Sequence, residues 1–200
     1  MQSQKLKHLA LIIMALAFVV FVYGTFKALQ IVDKTQMSTS SGVYTSYVST
    51  SREIEEKALI LSKTCESKLC KVQKLLDFAS NIPYSTNTFQ KHSPQKTIQE
   101  NFGDCDDKSN LLISMLHALD IEAYFVLVPK HIFVIVPLDD SHLTKRKGLW
   151  VNGTKHYILE STAKDSGVGY ALQYDLDEID VIIEPFSNEK VEIEILHYKL

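Results

Sequence analysis

The chain has 200 residues, 46% of them hydrophobic, with 21 basic and 24 acidic side chains and a net charge of −3. That is enough apolar material for one cored domain plus an appendage. Residues 1–30 carry Lys5, Lys7 and Lys27 and no acid, leaving 18 basic against 24 acidic residues beyond them; the sequence has no basic stripe of the kind nucleic-acid binding needs.

Leu9 to Phe26 is uncharged and almost wholly apolar. Its length reaches the lower end of what crosses a bilayer as a helix. Lys5 and Lys7 precede it, so the charge bias predicts a cytoplasmic tail over 1–8 and a single-pass membrane protein with its domain outside the cytoplasm, periplasmic in a bacterium. No small-x-small site follows the run, which favours an uncleaved signal-anchor helix over 9–26 rather than a cleaved signal peptide. Ten of the nineteen residues from Asp33 to Ser51 are Ser or Thr. That composition predicts a loosely ordered spacer over 27–51 and places the domain at 52–200.

A capping-box pattern, Thr50-Ser-Arg-Glu53, opens a helical stretch. Apolar residues at Ile54, Ala58, Leu61, Cys65, Leu69, Val72, Leu76 and Ala79 keep helical spacing until Pro83 stops it. Residues 84–100 read as polar loop with a short helical turn near Thr97, and a further helix runs from Asp104 or Cys105 to about Leu119. The pattern then changes to strands. Ala123 to Val128 and Ile132 to Val136 form an antiparallel pair, and Trp150-Val151 with His156 to Leu159 form a hairpin around Asn152-Gly153. Glu178 to Ile183 and Lys190 to His197 alternate as two more strands. Helices first and strands afterwards predict an α+β domain.

Cys105 lies just after Gly103-Asp104, at or next to a helix N-terminus, where the helix dipole favours a thiolate. A thiol nucleophile also needs a base and a group that orients the base. His131 opens a strand after a Pro-Lys turn, and Glu160 ends another, with Asp165 close enough in sequence to replace it. His117 reads as packing or surface, and His156 as exposed beside a turn. The plain alternative for Cys105 is an ordinary buried cysteine, since its acidic neighbours oppose ionisation.

The order helix-borne Cys, strand-borne His, strand-borne acid resembles the transglutaminase-like superfamily of papain-like fold, over roughly residues 70–170. Ile82-Pro83-Tyr84 at a helix end is similar to the family's I-x-Y. Gly103-Asp-Cys-Asp-Asp107 with Leu116-His-Ala-Leu-Asp-Ile-Glu-Ala123 looks like its G-x-C-x-D … L-x-A-L-G-I-x-A block, and Leu159-Glu-Ser-Thr162 after Trp150 looks like its W … D-P-T segment. Glu160 stands where the family has Asp, and Ile132-Phe133 replaces the family's H-A-W. The resemblance implies a catalytic helix packed on an antiparallel sheet. It implies Cys105 as nucleophile, His131 as proton shuttle and Glu160 as orienter in a thiol protease or amidase acting through a thioester on protein or peptide substrates, with acyl transfer as the related outcome. It implies an oxyanion hole at the Cys105 N–H, with Tyr84 as a side-chain candidate. The chain needs no cofactor for this chemistry.

Asp104, Asp106 and Asp107 could hold Ca²⁺, and some bacterial transglutaminase-like cysteine proteases bind calcium at a similar acidic run; helix capping is the bland reading. Cys65 and Cys70 would stand about 8.5 Å apart in an unbroken helix, beyond the bridging limit of about 7 Å. A disulfide between them therefore requires a break near Glu66-Ser67-Lys68. Two other functions fit the same residues: a catalytically silent transglutaminase-like module that binds a partner at the cell envelope, and a redox adaptor, which the lack of C-x-x-C disfavours.

Overall fold

The computed structural model describes residues 2–39, 42–86 and 92–200. Met1 of the tail, Ser40 and Ser41 of the spacer, and residues 87–91 of the loop before Thr97 lie outside the described residues. The chain divides into two units, Met1–Gln36 and Met37–Leu200. The first is a single helix, α1 (Gln2–Thr35). By length and composition its Lys7–Ala28 stretch could cross a membrane, and none of it is buried in protein; a signal sequence meets the same criterion. The helix runs past Phe26 into residues whose composition suggests spacer.

Two short strands, β1 (Gln36–Thr39) and β2 (Gly42–Thr45), pair with each other. The chain after them is not a free stalk. Tyr44 is buried, packs on Phe125 with ring centroids 5.1 Å apart, and hydrogen-bonds Asn110 at 3.4 Å. Ser49 N–H donates to Ser114 Oγ at 2.9 Å. Composition suggests solvated chain, and long-range hydrogen bonds to buried polar partners override it.

Helix α2 (Arg52–Ser62) is capped by Ser51, whose hydroxyl accepts from the Ile54 N–H, so the cap sits one residue later than Thr50. The helical stretch breaks over residues 63–67, and Ser67 caps α3 (Lys68–Asn81) through the Cys70 N–H. The break brings Cys65 and Cys70 to a Cα–Cα distance of 5.4 Å, joined as a disulfide. Helix α4 (Pro94–Glu100) has Ser93 as cap and Pro in its first turn, and ends on Asn101 in the left-handed conformation. Helix α5 (Cys105–His117) is buried nearly all round from Asp107 to Leu116, rather than along one face.

The sheet is antiparallel throughout, in the order β7-β3-β4-β6-β5-β8. Its strands are β3 (Tyr124–Val128), β4 (His131–Pro137), β5 (Gly148–Val151), β6 (Thr154–Leu159), β7 (Val181–Ile183) and β8 (Leu196–Lys199). Asn152 and Gly153 both take positive φ, 49° and 85°, the pairing a two-residue hairpin turn requires. Helices α2, α3 and α5 share one core with the sheet face bearing Leu127, Ile132, Val134 and Leu159. The opposite face, bearing Val126, Phe133, Ile135 and Ile158, is covered by the C-terminal segments. The domain is thus mixed helix and antiparallel sheet, as the order of helical and alternating patterns predicts.

The alternation over Lys190 to His197 suggests one long strand, whereas β8 begins only at Leu196. The reason is local. Asn152 Oδ1 accepts from the Glu194 and Ile195 N–H groups at 2.9 and 3.1 Å, and its Nδ2 donates to Glu192 O at 2.7 Å. Pairing is reduced to one antiparallel bridge between Lys190 and Ile183, where the Val191 N–H donates to Ile182 O at 2.8 Å, and the Val191 and Ile193 side chains cover the sheet.

Closing so short a disulfide loop contributes about 2 kcal/mol in the chain-entropy picture. Thiol titration of the denatured, unreduced chain should therefore find one reactive sulfur, that of Cys105; three would mean the Cys65–Cys70 bond does not form.

Candidate functional site

Cys105 is the first residue of α5, where backbone N–H groups lack intrahelical acceptors. The helix start is tied by carboxylates. Asp104 Oδ1 accepts from the Asp106 and Asp107 N–H groups at 3.0 and 3.1 Å. Asp107 reciprocates, accepting from the Asp104 N–H at 3.3 Å through Oδ2 and from the His92 N–H at 2.9 Å through Oδ1. Gly103 is needed for this closeness, because a Cβ there would stand 2.8 Å from the Asp107 Cβ.

The segment ahead of the site is fastened to the same helix. Tyr84 forms a parallel bridge with Gly103: the Gly103 N–H donates to Pro83 O at 3.2 Å and the Ser85 N–H to Gly103 O at 3.1 Å. One turn beyond Cys105, fully buried Lys108 donates from Nζ to Ser80 O at 3.1 Å and Ile82 O at 2.8 Å. Burial pushes its ammonium down to about 8, while the nearby Glu160 charge pulls the other way. Tyr84 lies on this segment with its side chain mostly exposed.

The thiol does not behave as helix position alone predicts. Burial pushes it up to about 12, the charges of Asp106 and Asp104 add to the rise, and its S–H donates to Asp106 Oδ1 at 3.6 Å; a hydrogen bond from the Ile132 backbone works in the opposite direction. Burial is the larger cause, and the Asp106 and Asp104 charges work in the same direction, against the helix dipole that favours a thiolate.

The Ile132 contact puts the start of β4 beside the sulfur, and the preceding residue is His131. Its Nε2 lies 2.9 Å from Glu160 Oε2. The other Glu160 oxygen accepts from the Thr162 N–H at 3.0 Å and the Thr162 hydroxyl at 2.5 Å. Burial works to raise the Glu160 carboxyl, but the His131 and Thr162 bonds outweigh it and hold it below the ordinary range. Asp165 is exposed, 3.5 Å from Asn81 Nδ2, and does not take that place. The structure pairs His131 with Glu160 and brings Cys105 next to β4, while no hydrogen bond joins Cys105 to His131. With Nε2–H given to Glu160, the His131 Nδ1 keeps its lone pair.

Two contributors escape sequence reasoning. Tyr174 stacks on His131 at a centroid distance of 6.1 Å and 18° between planes, and on Phe133 at 6.4 Å and 12°. Its phenol is raised by burial and by the charges of Glu160 and Cys105, so it stands in the same neighbourhood. Gln73 of α3 clasps the loop leaving Glu160, donating to Ser166 O at 3.0 Å and accepting from the Val168 N–H at 2.9 Å. Neither residue carries a local motif; the aromatic spacing around Tyr170 and Tyr174 is the only trace. His156 is buried, not exposed, because it lies within β6 between Pro137 and Leu149, with the Tyr124 ring 5.7 Å away. His117 stacks on Phe186 at 3.9 Å.

For calcium the carboxylates are poorly disposed. Both Asp107 oxygens and Asp104 Oδ1 already accept N–H groups. Among the described residues, the atoms that gather are those of Asp104, Cys105 and Asp106, two carboxylates and a thiol. A hard cation taking six to eight oxygens finds no cage there, and no chemistry is routed through one.

Iodoacetamide should alkylate Cys105 slowly at neutral pH, with the rate still climbing well into the alkaline range, since the thiolate fraction grows only as pH approaches the raised pKa. Asp106→Asn should lower that pKa and speed labelling at pH 8; a rate already flat below pH 9 and indifferent to the variant would contradict this electrostatic picture. Titrating Ca²⁺ into the protein in a calorimeter should give no saturable heat and no shift in Tm; a Tm rise that disappears in Asp104→Asn/Asp106→Asn would restore the calcium site.

Residues 56–143 match the model of the transglutaminase-like superfamily. That span contains Cys105 and His131 and stops short of Glu160. No curated protein matches the chain. Among solved structures, it is similar to a candidate cysteine protease from Cytophaga hutchinsonii, at 16% identity and a TM-score of 0.49, covering 78% of this chain and 52% of that one. It is also similar to a candidate protease from Parabacteroides distasonis, at 16% identity and a TM-score of 0.45, covering 71% of this chain and 27% of that one. The chain spans about half the length of the first and about a quarter of the second, and neither likeness is close enough to carry an activity across. The stretch from α2 through the Cys105 helix start into β4 is thus similar to the transglutaminase-like superfamily.

Proposed function

We propose that this chain is a membrane-anchored cysteine protease or amidase, held by α1 with its domain on the extracytoplasmic side, and that Cys105, His131 and Glu160 act on polypeptide substrates. The observation that carries the reading is the His131–Glu160 pair at 2.9 Å, on the strand whose next residue touches the Cys105 sulfur. A lone cysteine at a helix start means little. An oriented imidazole beside it supplies what a protonated thiol lacks.

The chemistry follows from the groups present. A bound peptide carbonyl lies against the α5 N-terminus, and His131 Nδ1 takes the proton from Cys105 as Sγ bonds to the carbonyl carbon. The negative oxygen that forms is met by the Cys105 N–H and the helix dipole, with Tyr84 as the side-chain donor candidate on the adjoining segment. Glu160 holds the ring in one tautomer and stabilises its positive charge. The C–N bond breaks, the leaving amine takes the proton from His131, and a thioester remains on Cys105. Water, deprotonated by His131, hydrolyses the thioester; an amine attacking instead gives acyl transfer. The raised thiol pKa makes the base indispensable, since almost no thiolate exists at rest.

A catalytically silent module that binds a partner is the second reading. It is favoured by the S–H turned toward Asp106 and by the missing Cys105–His131 bond, although such bonds often tighten only when substrate binds. Sequencing new protein N-termini in the cell envelope separates the two. Cells with the unaltered chain should yield fragments that are absent with Cys105→Ala and reduced roughly 10²–10⁴-fold in rate with His131→Ala. Identical fragment sets in all three strains would leave the silent module.

A further inference from the structure

A second feature lies on the other side of the domain's loops. The notably basic tip Lys145-Arg146-Lys147, just before β5, lines a cavity of about 350 Å³ together with Gly167, Gly169 and Tyr198. Two more cations lie outside its lining, on the sheet face that bears Trp150 and opposite Tyr198. Lys155 Nζ donates to Arg146 O at 2.9 Å and sits 5.1 Å from the Tyr157 ring and 5.9 Å from Trp150. Lys199 Nζ stands 5.5 Å from Trp150, and Lys147 Nζ 5.8 Å from Tyr198. Among the described residues, no carboxylate lies within ion-pair distance of any of these five groups. In a chain with more acid than base beyond its first thirty residues, such a gathering of unneutralised cations repels itself and calls for an anionic partner. Three of the five positions are consecutive, a basic loop tip visible in the sequence; those at 155 and 199 come near it only through the fold.

The shape says what kind of anion. One wall is nearly free of side chains: Gly169 turns at φ 79°, where a Cβ would stand 3.4 Å from Tyr157 and 3.5 Å from Arg146, and exposed Gly167 has only Gln73 within 4 Å. The rim includes Tyr198 of β8, the last strand of the sheet, beside which no further strand pairs among the described residues, so an extended chain can lie along it. Four of the five cations are lysines, point charges on flexible stems spread over aromatic rings. They suit carboxylates spaced along a peptide better than one compact phosphate, which a bidentate arginine fork or a helix N-terminus would grip. A long nucleic-acid strand would meet the acidic excess of the remaining domain.

We propose that this cavity docks an acidic stretch of a polypeptide substrate, away from Cys105. The proposal rests on the reading that the chain acts on polypeptides. Its wall, residues 167–171, belongs to the same loop that leaves Glu160 and returns to Tyr174 above His131, so a docked chain is held by the loop that frames the candidate site.

The test uses the full chain in neutral detergent, carrying Cys105→Ala so that nothing turns over, with Trp150, the only tryptophan, as the fluorescent reporter. A decaglutamate peptide should bind saturably in about 50 mM salt and weaken steeply by about 300 mM. Reversal of the tip, Lys145→Glu/Arg146→Glu/Lys147→Glu, should weaken it about tenfold or more. The same charge change at exposed Lys63, Lys68 and Lys74 on the helical side should leave binding unaltered. No saturable binding, equal loss in both triple variants, displacement by inorganic phosphate at matched ionic strength, or tighter binding of a ten-residue oligothymidylate would each overturn the proposal. Because the readout is binding by an inactive variant, its failure leaves the Cys105 cleavage test standing, and failure of that test leaves this result intact.

Discussion

The buried polar side chains of α5 decide where the rest of the domain must lie. Asp107, Lys108, Ser109, Asn110 and Ser114 are all within the core, and between them they hydrogen-bond four separate stretches of chain. Asp107 takes the His92 N–H, and Lys108 takes the carbonyls that end α3. Ser109 meets Ser161 at 3.1 Å, Asn110 takes Tyr44 and Tyr47, and Ser114 takes Ser49. A buried polar group without a partner costs about 1–3 kcal/mol, so each of these stretches is held to one position around the helix. An all-apolar helix would pack as well and specify less.

The same helix explains why the thiol of its first residue ionises with difficulty. Acids at a helix start stabilise the helix, and here they form a reciprocal box. Burial and the charges of Asp106 and Asp104 hold the proton on the sulfur, so that Asp104 both caps α5 and opposes the thiolate. Structural stability and thiol ionisation therefore compete at one turn of helix. The competition makes His131 and the shell behind it, Glu160 with Thr162 on one side and Tyr174 on the other, the decisive part of the site.

Local chemistry made much of the domain readable in advance. Pro83 stops a helix, Asn152-Gly153 turns a hairpin, and the Gly103–Asp107 run marks a helix start, each within a few residues. Alternation failed over Lys190 to Ile195, where a distant side chain, Asn152, claims the backbone that the pattern assigns to a ladder. Composition failed over Tyr44 to Ser49, for the same kind of reason. Cys105, His131 and Glu160 could be singled out because each stands beside a turn or an element end. Lys108, Tyr174 and Gln73 could not, because what makes them matter lies dozens of residues away. The basic cavity is a mixed case: Lys145, Arg146 and Lys147 adjoin in the sequence, whereas Lys155 and Lys199 come near them only when β5, β6 and β8 lie side by side.

The Gln73 clasp carries one more implication. A single amide there reads the loop backbone the way a neighbouring strand would, giving a proton to residue 166 and taking one from residue 168, while its second N–H reaches Asp77 Oδ1 at 2.7 Å. The fit depends on polarity as well as size. Glutamate, nearly identical in shape, would turn an acceptor toward two acceptors, and leucine would satisfy none of the three. The loop that carries Glu160 into place is therefore latched by both ends of one amide, and replacing its nitrogen by oxygen would turn the Ser166 and Asp77 contacts from attraction into repulsion.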